Sequence, residues 1–368
     1  MSALGSSQVR MPKPDRGDGV PAQAMPLLVS VVVIGRNEGA RLQRCLESLS
    51  LARWQHKGQA FGHEVIYVDS NSSDGSVQRA RQAGATVLGL GKQRPCAAAG
   101  RNIGWRAAKA PFILFLDGDT VLHPDFVSQA MATLQEPKLV AAWGHRREIY
   151  PEQSLYTRVL DLDWVFAPGR VTYFGGDVLV RREALAQVGG FDDQQVAGEE
   201  PELCRRLRER GWEIEHLDTP MTGHDLAVTT LKAYWKRAER AGLAYAQVAE
   251  RFAHTPDPLW SAESRRNWIH GSALLMLPVV MLALLLWWPA AAAAATTLGL
   301  LFWLRSAWRC RWKCPGQPGL ALLYALHSHL QQVPILWGQW QYRRLRHNQQ
   351  APQLMEYKGP QVGSGEAP

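Results

Sequence analysis

Three residues, Asp117-Gly118-Asp119, follow directly on the apolar run at 112–116, so two carboxylates one residue apart project from the end of a strand. Carboxylates so placed suit a hard divalent cation. Mg²⁺ and Mn²⁺ take one or two protein carboxylates and complete their shell with substrate phosphate oxygens, which makes a nucleoside diphosphate the natural partner. A solvated acidic turn is the other reading of the same triplet.

The elements that must position these groups alternate. Residues 28–34, 64–68, 86–88 and 112–116 are short apolar runs with helical patterns between them, which predicts an α/β fold with a mainly parallel sheet and flanking helices. Ligands bind beyond the carboxyl ends of such strands. Arg36-Asn37-Glu38 follows the first run, Asp69-Ser70-Asn71 the second and Asp117-Gly118-Asp119 the fourth.

The second half of the chain has another character. Val228, Leu231, Trp235, Ala238, Gly242, Tyr245, Ala249 and Phe252 recur every three or four residues beside Lys232, Lys236 and Arg240, the pattern of an amphipathic basic helix that either packs on the core or lies at a lipid interface. Residues 269–288 and 289–304 carry no charge, and both flanks are basic. This predicts a hairpin through the cytoplasmic (inner) membrane with both ends in the cytoplasm, the alternatives being shallow insertion or a buried helix pair. Residues 320–340 are apolar but broken by His327, His329, Gln331, Gln332 and Pro334, so a third, interfacial or partly inserted element is expected.

The net charge of +8 is better matched to an anionic membrane surface than to nucleic acid, because Arg305, Arg309, Arg311 and Lys313 cluster beside apolar segments. Five dispersed cysteines make a poor disulfide framework, and Cys310 and Cys314 have no second pair to complete a zinc site. The first 25 residues are rich in Pro, Gly and Ser without a signal-peptide core, which leaves the following domain in the cytoplasm. The expected organisation is a disordered tail at 1–26, a catalytic domain at 27–225, amphipathic interfacial helices at 226–268, the hairpin at 269–305, a basic loop and third element at 306–345 and a second tail at 346–368. Oligomeric state leaves no signature here.

Six blocks occur in one order: VSVVVIGRNE at 29–38, EVIYVDSNSSDGS at 64–76, GRNIG at 100–104, FLDGDT at 115–120, Gly175-Gly176, and GGFDDQQVAGEEPELCRRL at 189–207. Together they resemble the family-two inverting glycosyltransferases with the A-type glycosyltransferase fold, over residues 28–224. The resemblance implies that Glu38 and Asp69 contact the nucleoside, with Ser70 and Asp74 shaping that loop. It implies that Arg101 approaches the base or phosphates, supported by Asn102, and that Asp117 meets the ribose or the metal. Asp119 matches the main metal-binding carboxylate, and His224 falls where some members supply a further ligand. The same resemblance implies that Gly176 lines the sugar and acceptor site, that Asp177 contacts a sugar hydroxyl, and that Glu199 lies on the nucleotide-sugar side of the acidic pair.

Glu200 matches the catalytic base, although the family's usual pair is Glu-Asp and this chain has Glu-Glu. Pro201 suits a first helical turn, and a helix start favours the ionised carboxylate a base needs. The implied reaction is a single displacement with inversion: a Mg²⁺- or Mn²⁺-dependent transfer of one sugar from a nucleotide-sugar donor, UDP being the commonest carrier, to a lipid or lipid-linked glycan acceptor. Processive synthases share the fold but carry a Gln-x-x-Arg-Trp block that residues 228–252 lack. A nucleotidyltransferase would need a glycine-rich loop better than residues 35–39, and a non-catalytic nucleotide-binding scaffold would have lost the carboxylates.

Overall fold

The computed structural model describes residues 25–350 apart from Lys92, Val196 and Asp257. The tails expected at 1–26 and 346–368 fall almost wholly outside those residues, but Arg346 and His347 belong to the last helix.

Strand β1 (Leu27–Gly35) is apolar on both faces, as a central parallel strand must be. It pairs in parallel with β2 (Gly62–Asp69) on one side and β4 (Phe112–Asp117) on the other, and β3 (Thr86–Gly89) extends the sheet beyond β2. The other strands are β5 (Thr120–Leu122), β6 (Leu139–Glu148), β7 (Gly169–Val171), β8 (Val178–Arg181) and β9 (Glu213–His224). The nine strands run β3-β2-β1-β4-β8-β6-β9-β5, with β7 added on β9. Parallel pairing dominates the N-terminal half; β8 enters antiparallel to both β4 and β6. A short hairpin, Gln55–His56 with Gln59–Ala60, stands apart.

Helices α1 (Ala40–Leu51), α2 (Ser76–Gln82), α3 (Ala97–Ala107), α4 (Phe126–Thr133), α5 (Leu155–Asp161), α6 (Arg182–Val188) and α7 (Glu199–Glu209) accompany the sheet. A Cβ on Gly104 would stand 2.2 Å from Val32 Cγ1, so glycine lets α3 lie close on β1, which sets the height of Arg101 one turn earlier. The strand exits turn sharply at Asn37 and Asn71, both at positive φ, a conformation asparagine tolerates. Asn37 ties the two exits together: its N–H donates to Ser72 Oγ, and its side-chain oxygen accepts from Ser73 N–H.

Helices α8 (Leu231–Phe252), α9 (Ser261–Trp287), α10 (Pro289–Cys310), α11 (Pro318–Leu330) and α12 (Gln332–His347) follow. Of the two fates open to the amphipathic helix, α8 takes packing for much of its length. A Cβ on Gly242 would lie 2.1 Å from Ile335 O, and one on Gly338 2.0 Å from Glu239 O, so paired glycines let α8 and α12 cross with backbones in contact. Leu231 and Trp235 remain exposed.

The single element expected at 320–340 is two helices meeting at Gln331. Its polar residues point into protein. His327 Nδ1 lies 2.8 Å from the Tyr234 hydroxyl, His329 pairs with His270 and Ser306, and Gln339 donates to Ser264 O.

Helices α9 and α10 are long and apolar enough to cross a membrane; 27 residues span about 40 Å. Their Leu277, Val279, Leu282, Leu285, Leu286, Leu301 and Phe302 side chains face outward, uncovered by protein. About half of each side chain is exposed, so each forgoes about 1 kcal/mol that full burial would supply, and an apolar patch of this kind marks an interaction surface.

Candidate active site

A cleft of about 630 Å³ opens beyond the carboxyl ends of β1 and β4. One end is formed by Arg36, Asn37, Glu38, Ser70 and Ser73, and the middle by Arg101, Asp117, Asp119, Gly176, Glu199, Glu200 and His224. Trp164, Tyr234, Arg237 and Gln331 close the other end. The topology thus gathers these residues from ten separate stretches of sequence into one concavity.

Arg101, 3% exposed, organises the carboxylates. Its Nη1 donates to Glu199 Oε1 and Glu200 Oε1, each at 3.0 Å, and its Nη2 donates to Asp117 Oδ1 at 3.0 Å. Arg146 supplies a second cation, with Nη1 3.2 Å from Asp117 Oδ2 and 3.4 Å from Asp177 Oδ2. Its guanidinium also sits over the Trp164 ring, 4.7 Å from the centroid. Opposite charges at these distances justify burial that an isolated ion would not survive. Arg101 therefore clamps carboxylates here, whereas the resemblance implied an approach to base or phosphates.

Gly176 is required by this arrangement. A Cβ there would lie 2.7 Å from Arg101 Nη2 and 2.8 Å from Asp117 Oδ2.

Asp177 plays a different part from the sugar contact implied for it. It does not line the cleft: its Oδ1 accepts from Asp117 N–H at 2.9 Å and its Oδ2 from the Thr222 hydroxyl at 2.7 Å. Burial raises its pKa against the opposing pull of Arg146. It braces the backbone of Asp117.

Asp69 likewise turns away, accepting from the Tyr67 hydroxyl and the Ser72 N–H, and Ser70 and Ser73 form that part of the wall. Glu38 does line the cleft, paired with Arg41 at 2.9 Å.

Glu200 stands in the first turn of α7. Gly198, at φ 83°, allows the entry to that helix, where a Cβ would also press on Trp260 and Val248. Burial first, then the neighbouring Glu199, pushes the Glu200 carboxyl up to about 7, while Arg101 holds it down. A carboxylate balanced near neutrality is the type of group that takes a proton at physiological pH.

Asp119 and His224 form the other chemical pair, Oδ2 to Nε2 at 3.2 Å, both buried. The β5–β9 pairing places them, with His224 opposite Thr120 in the register. Burial, then Arg146, keeps the imidazole well below its ordinary pKa, hence neutral. A carboxylate beside a neutral imidazole on a cleft fits a divalent ion that draws its remaining ligands from phosphate and water. Asp117, also implied as a ligand, has its carboxylate engaged by Arg101 and Arg146. Among the described residues no group of three His, Cys, Asp or Glu is arranged to hold an ion.

Residues 30–190 match Glycosyl transferase family 2, and residues 112–308, more than half the chain, match Glycosyl transferase family group 2. The chain belongs to glycosyl transferase family 2.

This family-two glycosyltransferase is 28% identical over 247 residues to the pre-mycofactocin glycosyltransferase of Mycobacterium tuberculosis, a match covering 63% of this chain and 49% of that protein. It is 22% identical over 195 residues to glycosyltransferase AglE of Haloferax volcanii, covering 50% of this chain and 63% of AglE. The chain thus spans about half the length of the mycobacterial relative. Among solved structures, the mannosyltransferase PcManGT from Pyrobaculum calidifontis, in complex with GDP-Man and Mn²⁺, superposes with a TM-score of 0.57 at 20% identity, covering 84% of this chain and 90% of that one. The likeness shows the fold, a mixed sheet with flanking helices of the A-type glycosyltransferase architecture.

The family-two blocks do not mark Arg146, Trp164, Tyr234 or Arg237, all on the cleft. Arg146 left no such signal: His145-Arg146-Arg147-Glu148 is polar throughout, and only the fold turns Arg146 and Glu148 inward between the less buried His145 and Arg147. Trp164 and Arg237 meet across the fold, 5.9 Å from guanidinium to ring centroid, and no local pattern announces that.

Proposed function

We propose that this glycosyltransferase is metal-dependent and inverting, and moves one sugar from a nucleotide sugar, of the UDP type, to a lipid or lipid-linked glycan at the cytoplasmic face of the membrane. The observation that carries the reading is that Glu200 and the Asp119–His224 pair line the same cleft. A base and a diphosphate site would then share one space of about 630 Å³.

Asp119 and His224 would hold Mn²⁺ or Mg²⁺, which when bound neutralises charge on the departing diphosphate. Glu200 Oε accepts the proton of the acceptor hydroxyl as that oxygen attacks the anomeric carbon, so configuration inverts. Arg101 keeps Glu200 and Glu199 in place and favours the ionised form of Glu200. Asp177 and Arg146 hold Asp117 at the strand end, and Gly176 leaves room for the Asp117 and Arg101 side chains. The outward apolar faces of α9 and α10 support membrane residence, and the far end of the cleft is built partly from α8 and Gln331, which pack among the same helices. An acceptor with a lipid moiety would reach the cleft there.

The test is to incubate detergent-purified protein with UDP-sugars, Mn²⁺ and a bacterial lipid extract and to follow nucleoside diphosphate release and the anomeric configuration of the product. Release of UDP with an inverted glycolipid is expected. Release of pyrophosphate would indicate a nucleotidyltransferase, and formation of long polymer a processive synthase.

A further inference from the structure

A groove of about 770 Å³ lies at the base of the helical hairpin, away from the cleft, bounded by Ser261, Arg265, Arg266 and Ile269 of α9 and by Phe302 of α10. Its two halves differ in chemistry. Arg265 and Arg266 are exposed at the end where α9 leaves the basic segment, and no Asp or Glu is among the described residues that line it. Ile269 and Phe302, 60% and 54% exposed, form the opposite wall, and that wall runs on into the uncovered apolar faces of the hairpin.

A smaller groove of about 370 Å³ shares Ser261 and Arg265 with the first and adds Arg343, whose guanidinium stacks 3.8 Å over Trp268. Glu250, the one carboxylate lining the smaller groove among the described residues, is paired with Arg346 at 2.7 Å. Glu263, in the first turn of α9, lines neither groove, so the described lining around Arg265 and Arg266 carries a surplus of positive charge.

We propose that this groove binds one anionic phospholipid, its phosphate between Arg265 and Arg266 and an acyl chain along Ile269 and Phe302. The inference rests on the membrane reading of α9 and α10. Charge complementarity argues for the headgroup: guanidinium forks match phosphate oxygens bidentately and bind them more selectively than point charges do. The apolar wall argues for a lipid over free phosphate, which would have no use for Ile269 or Phe302. The depth agrees as well, because the arginines stand where the charge-free run begins, at the level of lipid headgroups. Such a lipid would fix how deep the hairpin sits, and through α9 against α12 and α8 how the cleft meets the bilayer.

The test uses the full chain extracted from membranes in a mild non-ionic detergent, mixed with equimolar phosphatidylglycerol and phosphatidylcholine of matched chains and examined by native mass spectrometry. One phosphatidylglycerol should be retained at least fivefold over phosphatidylcholine. Arg265→Gln with Arg266→Gln should reduce retention to the phosphatidylcholine level, and Arg265→Lys with Arg266→Lys should restore part of it; UDP binding should be unchanged in both. Equal retention of the two lipids, undiminished phosphatidylglycerol in the Gln pair, or a bare phosphate adduct without lipid would each overturn the proposal. Protein found in the soluble fraction without detergent would contradict the membrane reading itself, whereas membrane-extracted protein lacking the preference contradicts only this site.

Discussion

Arg101 Nη1 lies 3.0 Å from Glu200 Oε1, and through that contact a buried arginine on α3 holds down the pKa of a carboxylate that lines the cleft. Glu200→Gln keeps the shape and the hydrogen bond but removes the base. Transfer should fall by about 10²–10⁴-fold with nucleotide affinity unchanged, as read from kcat and from UDP titration. Full activity in the Gln variant would remove Glu200 from the mechanism.

The same contact dictates a pH dependence. With the Glu200 carboxyl raised to about 7 and ionised when active, kcat/KM should climb with pH and reach half its plateau near pH 7. Arg101→Gln removes the influence that lowers this pKa, so the midpoint should move upward. Stability changes in the opposite sense. A carboxyl raised in the folded state binds its proton more tightly there than in the unfolded chain, so its ionisation costs stability as pH rises from the ordinary carboxylate range through 7. Glu200→Gln lacks that loss, and its Tm should gain on the parent's between pH 5 and pH 8.

Gly176 tests the packing of Arg101 against Asp117. A methyl group there meets Arg101 Nη2 and Asp117 Oδ2 inside 3 Å, so Gly176→Ala should destabilise by about 1–3 kcal/mol and lower kcat at least tenfold. Thermal melts and initial rates measure both; an Ala variant with unchanged rate would separate the Arg101–Asp117 bond from catalysis.

The α8–α12 crossing offers a probe remote from the chemistry. Gly338→Leu cannot be accommodated with Glu239 O at 2.0 Å from the new Cβ, so α12 must lift from α8, which carries Tyr234, Arg237 and Ala238 of the cleft wall. The variant should melt several degrees lower and lose acceptor turnover more than UDP affinity.

Much of the fold was legible because the apolar runs at 28–34, 64–68 and 112–116 are strands largely covered on both faces, and burial on both faces leaves a pattern that local sequence carries; the run at 86–88 is a half-exposed edge strand that its neighbours in the alternation reveal. The antiparallel insertion of β8 between β4 and β6 was not, since Val178–Arg181 is too short to declare its direction. At the site, Asp119, His224, Glu200, Arg101, Gly176 and Asp117 converge because each belongs to a motif at a strand or helix end. Asp69 and Asp177 were harder: an aspartate after a strand serves equally as a ligand or as an acceptor for its own loop, and only the positions of Tyr67, Ser72, Thr222 and Arg146 decide. The break at Gln331 escaped the sequence for a related reason. Polar residues in an apolar run read as costly until their partners Tyr234, His270, Ser306 and Ser264 are known.

The most direct test of the central claim is calorimetry of UDP and of GDP binding to detergent-purified protein with and without Mn²⁺, repeated on Asp119→Ala and His224→Ala. The account predicts binding of UDP that needs the metal, is abolished in Asp119→Ala and is weakened less severely in His224→Ala. Folded protein that binds neither nucleotide, or binds one equally well without metal and without the Asp119 carboxylate, would contradict it.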